Sequence, residues 1–150
     1  MAYKVSREKP FFVEDLELVD SITGKVVKTI SVRLNPDSVV EKISRSYIEL
    51  VKTQQQLPQL STGIEQGKLA DAYEKLGLAV IRLFESVFGE ADTRAIVTFY
   101  ESNYTEMIKQ VTPFIIDVAL PQIKKMSHQN KQDILALYNR KTRRSIRKRR

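Results

Sequence analysis

Apolar residues recur at Leu69, Tyr73, Leu76, Val80, Leu83, Phe84, Val87 and Phe88, the three- and four-residue spacing of one helix face. From Leu76 onward the stripe broadens, with Leu78, Ala79 and Ile81 adding apolar surface on other sides. A helix patterned this way is expected to pack against more than one neighbour and to form the centre of the core. Gly89 follows the last apolar residue, where a left-handed cap costs least. Asp92 or Thr93 can then cap a shorter helix carrying Ile96, Val97, Phe99 and Tyr100. The stretch from Leu69 to Tyr100 therefore reads as a helix–glycine–helix corner.

The N-terminal third has a different period. Residues 1–10 are polar, with Pro10 as a boundary, and are expected to be poorly ordered. In FFVEDLELVD, Phe11, Val13, Leu16, Leu18 and Val19 sit among acids, with one slip in phase near Asp15 that predicts a bulge. Glu14, Asp15 and Glu17 fall on this strand and blunt a sheet edge. After the turn residues SITG, KVVKTISVRL alternates again, with Val26, Thr29 or Ile30, Val32 and Leu34 as inward positions. Two such runs around a Gly-containing turn predict a hairpin over 11–34, which needs helices or another subunit to cover one face.

Asn35-Pro36-Asp37 then starts a helix: Asn as cap, Pro at the first position, Asp in the first turn. Its stripe is Val39, Val40, Ile43, Tyr47, Leu50 and Val51, and Pro58 is expected to end it. Gln59 to Gly67 reads as a connector, with a turn starting at Ser61. Beyond the corner, Asn103 and Thr105 open a helix with Tyr104, Met107, Ile108, Val111, Phe114, Ile115 and Val118 on its apolar side. Pro113 inside that pattern predicts a kink, and Pro121 a break. Ile134, Leu135, Leu137 and Tyr138 form the last apolar turns. The expected class is α+β, mostly α: a hairpin and about five helices in one domain over 11–138.

Composition changes this picture at one place. A chain of 150 residues suits a single domain that buries about 70% of its unfolded surface. The net charge of +7 is not spread evenly: the last eleven residues hold eight cations and no acid. Without them 17 basic residues face 18 acidic ones, so the body is nearly neutral and the basicity belongs to a tail over 139–150. Like charges at that density should keep the tail extended unless they are countered. Arg140, Lys141, Arg143, Arg144, Arg147, Lys148, Arg149 and Arg150 are the residues through which it would contact a protein partner or nucleic acid.

The catalytic inventory is thin. There is no Cys, so no disulfide framework and no thiolate metal site. His128 is the only histidine and lies in the polar segment MSHQN, so no multi-histidine metal centre can be built. Neither a Walker loop nor a dinucleotide fingerprint is present, and Gly24, Gly63, Gly67, Gly77 and Gly89 stand singly. No cofactor is expected. No stretch resembles a signal peptide or a membrane span, and a reducing cytoplasm is the expected setting.

The segment IRLFESVFGEADTRAIVTFYESNYTEMIKQVTPFI carries a resemblance. It is similar to the tail assembly chaperones of long-tailed phages and prophages of Gram-positive bacteria. Phe84, Val87, Phe88, Gly89 and Glu90 match the aromatic–valine–FGE core of that group's pattern, and Arg94, Ile96 and Asn103 fall near its later positions. Ala91 stands where a second glycine is usual, and Ile96-Val97 replaces a lysine–phenylalanine step. The basic ending Asn139–Arg150 also resembles the ends of these proteins. The resemblance implies a non-enzymatic role in the host cytoplasm: coating a tape measure protein and, through a frameshifted extended form, recruiting major tail protein. Self-association on the client is part of that expectation. A nucleic-acid-associated protein working through the basic tail is the alternative.

Overall fold

The structure, a computed structural model, describes the backbone of residues 2–4, 11–60 and 66–148, and within these not the side chains of 57–60, 66, 67, 69 and 140–148. Most of the 1–10 segment, the turn expected at Ser61, and Arg149 and Arg150 lie outside the described residues.

The hairpin forms as the alternation predicts. Strand β1 (Phe12–Val19) pairs antiparallel with β2 (Val26–Leu34), Phe12 opposite Leu34 and Leu16 opposite Ile30. Asp20 builds the turn: its carboxylate accepts from the Ile22 amide at 2.8 Å and its carbonyl from the Gly24 amide at 2.8 Å, with Gly24 at φ +71°. The inward residues are Phe12, Leu16, Leu18, Ile30, Val32 and Leu34. Ile30, not Thr29, points inward, while Val13, Val19 and Val26 face outward. The register shift lies between Leu18 and Val19 rather than at Asp15. Phe12 rather than Phe11 or Val13 leads the buried set, so the strand has no slip at the acids. Phe11 instead lies under the Arg33 guanidinium, 4.6 Å from ring centroid to Cζ.

The helical part is three continuous stretches among the described residues, not five separate helices. The first, α1 (Pro36–Leu60), starts where Asn35 caps it, its Oδ1 accepting from the Asp37 amide at 3.2 Å. It does not stop at Pro58: a proline in the last turn forfeits one hydrogen bond, and the helix runs on to Leu60. The second, α2 (Gln66–Phe99), contains the predicted corner, with Gly89 at φ 81° and ψ 172°. Neither Asp92 nor Thr93 is needed as a cap, because helical backbone resumes directly after Gly89. Thr93 is instead buried, and its Oγ1 has no hydrogen-bond partner. Thr93→Val should therefore leave thermal stability unchanged or raise it by about 1 kcal/mol, since an unsatisfied hydroxyl is replaced by an isosteric methyl. A denaturation curve measures this directly, and a loss would mean the hydroxyl has a partner.

The third stretch joins α3 (Tyr104–Pro113), a π-helical segment (Phe114–Ala119) and α4 (Leu120–Lys148). Two prolines bracket the wide turns, and the Leu120 amide reaches back to the Ile115 carbonyl. Each proline lacks an amide and crowds the carbonyl one turn earlier, and a wider turn relieves that crowding without ending the helix. Pro121 accordingly marks no break.

The core lies between the hairpin's inner face, α1, α2 and the third stretch. As expected, α2 is its main contributor, through Leu76, Ala79, Val80, Leu83, Phe84, Val87, Phe88 and Ile96. Phe84 meets Phe88 edge-on at 5.8 Å, and Phe88 stacks on Phe114 at 6.2 Å, joining the corner to the π-helical segment.

Candidate functional site

The motif residues are structural. Phe84, Val87 and Phe88 are buried, Gly89 makes the bend, and Glu90 sits exposed with its carboxylate 3.2 Å from Arg94. The bend sends the second half of α2 back along the first, so that the turn after Phe99 arrives beside Gly77. There a Cβ would lie 2.5 Å from the Tyr104 ring, so only glycine lets α3 approach so closely.

That turn, Tyr100–Asn103, stores backbone strain. Glu101 (φ 51°) and Ser102 (φ 62°) are both left-handed and neither is glycine, at a cost of about 1–3 kcal/mol each. The conformation is held by the Ser102 amide bonding the Val97 carbonyl at 3.0 Å. On the other side Asn103 caps α3, its Oδ1 accepting from the Glu106 amide at 3.2 Å.

Two open pockets flank the turn. The larger, about 660 Å³, is lined by Tyr73, Leu78, Ile81 and Tyr104, with Ala70, Glu74, Ser102, Asn103 and Thr105. Tyr73 is 49% exposed and Leu78 55%, so the broadened side of the α2 stripe is only partly covered. The second, about 450 Å³, is lined by Val19, Asp20, Ser21, Phe99, Tyr100, Glu101, Glu106 and Gln110. Burial, and then the Glu106 carboxylate, hold the Tyr100 phenol above its ordinary value of 10.0. The charged residues described along the two pockets are Asp20, Glu74, Glu101 and Glu106, all carboxylates.

At the far end, the residues expected to be the last packed turns lie at the surface. Ile134, Leu135, Leu137 and Tyr138 are 62%, 58%, 62% and 67% exposed, and every residue from Lys131 to Asn139 is exposed. The backbone of the basic segment is helical up to Lys148 rather than extended, continuing α4 without a boundary at 139. The side chains of Arg140, Lys141, Arg143, Arg144, Arg147 and Lys148, like Arg149 and Arg150 entirely, lie outside the described residues.

Of the tyrosines on the predicted apolar faces, Tyr47 and Tyr100 are half-buried against the core, whereas Tyr73 belongs to the pocket. Sequence reasoning missed Leu78, Ile81 and Tyr104 as a surface. Their signal was the broadening of the stripe, which does not say which side stays uncovered. His128 is exposed and pairs with Gln132 one turn on, their Nε2 atoms 3.0 Å apart. Among the described residues no group of three His, Asp or Glu could hold a metal, and no helix is long and apolar enough to cross a membrane. Comparison with protein-family models, curated proteins and solved structures gave no match to this chain.

Proposed function

We propose that this chain is a non-enzymatic tail assembly chaperone of a long-tailed phage or prophage, holding a tape measure protein in the host cytoplasm and helping to recruit major tail protein. The resemblance at Phe84–Glu90 supplies the class. The observation that carries the reading here is the open apolar groove between α2 and the turn into α3, with Leu78 and Tyr73 about half exposed on its wall. A groove of this kind suits a helical client that inserts side chains at three- and four-residue spacing. Tape measure proteins are long and helical, and a nearly neutral body does not repel them.

Co-expression with the tape measure protein encoded nearby should raise that protein's soluble fraction several-fold. Leu78→Glu places a charge on an exposed wall position without disturbing the core, and should return the client to the insoluble fraction. Unchanged client solubility with the unaltered chain would sink the proposal. An unimpaired Leu78→Glu variant would remove the groove from it.

A further inference from the structure

The groove beside the α2–α3 turn owes its shape to one missing methyl. A Cβ on Gly77 would stand 2.5, 2.8 and 3.0 Å from three carbons of the Tyr104 ring, so the ring rests on the bare backbone of α2. Asn103 caps α3 just before it and holds the first turn in place. The conflict would be with the end of a side chain, and the open side of that ring is the pocket it lines. A methyl at position 77 would thus turn the ring into the groove and leave the helices where they are. Glycine is otherwise unfavourable inside a helix, and here it keeps the floor of the groove clear.

The charge around this groove has one sign. Glu74 lines it, and Asp20, Glu101 and Glu106 line the pocket on the other side of the turn, with no cation among the described lining residues of either. Asp20 is engaged in the hairpin turn, and Glu106 accepts from the Asn103 side chain at 3.4 Å. Glu74 and Glu101 form no hydrogen bond or ion pair with any described residue. Lys109, the first cation along α3, lies outside both pockets. The second pocket adds the rings of Phe99 and Tyr100, edge to face at 4.9 Å. Apolar walls, aromatic rings and open carboxylates together suit a lysine or arginine, whose stem lies on apolar surface while its head reaches a carboxylate or a ring face.

We propose that the occupant of the groove is a cationic amphipathic helix. Its apolar residues seat on Tyr73, Leu78, Ile81 and the ring of Tyr104, and its Lys or Arg residues reach Glu74 and Glu101. The inference rests on the groove proposed above as the client site and adds the chemistry of what fills it. A helix with an acidic polar face is refused by the same carboxylates.

The experiment is fluorescence anisotropy of the full chain with three labelled peptides, stapled so that all are helical before binding. They share leucines at i, i+3, i+4 and i+7, and their polar face is all Lys, all Gln or all Glu. Groove binding is the part that Gly77→Ala removes and that Gly77→Ala with Tyr104→Ala returns, since peptide held elsewhere on the chain is indifferent to both. Gly77→Ala should keep the helical circular dichroism and weaken the Lys peptide at least ~tenfold, and the double variant should regain most of the loss. In the groove the Lys peptide should bind at least ~tenfold tighter than the Glu peptide at about 0.05 M salt, with the gap narrowing at about 0.5 M. Glu74→Gln with Glu101→Gln should shrink that gap several-fold and leave the Gln peptide unchanged. Equal groove binding of the Lys and Glu peptides, a preference that the Gln pair does not move, or no groove binding at all would overturn the proposal. So would a Gly77→Ala chain that unfolds or binds as before. No tape measure protein is present, so the two readings part cleanly. A chain that solubilises its client without this charge preference loses the inference alone, and one that shows the preference without aiding the client loses the function alone.

Discussion

Phe84→Ala should lower stability by about 3–5 kcal/mol, more than any other change considered, and shift the melting temperature by on the order of 10 °C. Phe84 is fully buried in α2, and its ring meets Phe88, which stacks in turn on Phe114. Removing it empties a space at the junction of the corner and the π-helical segment, where two prolines restrict collapse. Thermal or denaturant unfolding measures the loss. A change below about 1 kcal/mol would mean that the site repacks, and that the motif's aromatic residues are not there for the core.

Gly89→Ala should cost about 1–3 kcal/mol, and its sign separates two accounts of this glycine. In an ordinary helix interior the same change stabilises by up to about 1 kcal/mol. Gly89 has φ 81° and ψ 172°, a region essentially closed to residues with a Cβ, although a Cβ there would meet no atom within 4 Å. The cost is therefore purely one of backbone conformation, and trimming neighbouring side chains should not relieve it. Stabilisation on substitution would show that the bend does not require a glycine.

The parts legible in the sequence were those fixed by local chemistry. The Asp20–Lys25 turn, the Asn35-Pro36 start of α1, the Gly89 bend and the Asn103 cap each depend on one or two residues whose backbone preferences decide the matter. The prolines misled because their effect depends on what surrounds them. Pro58 sits in a terminal turn and Pro121 just beyond a π-helical segment, where the lost amide and the crowding are tolerated. Phe12, Phe11 and Val13 are equally apolar on paper, and only the register with β2 assigns Phe12 to the core. The groove was half legible: Leu78 and Ile81 announced a second apolar side of α2. That the side stays open follows from the turn after Phe99, whose left-handed Glu101 and Ser102 carry no sequence signature. The exposure of Ile134 to Tyr138 was equally unreadable, because an amphipathic stripe looks the same whether or not the rest of the chain reaches it.

The six wide-turn residues between the prolines also set a phase. Met107, Val111, Ile115, Ala119, Ile123 and Ser127 are all buried, at an unbroken interval of four. In a regular α-helix each such interval drifts by about 40° around the axis, and over five intervals the last residue would point away from the body. The looser winding of Phe114–Ala119 rotates the chain back and cancels much of that drift. The azimuth at which Ile134 and Leu137 emerge is thus dialled in twenty residues upstream, by a stretch that touches neither of them.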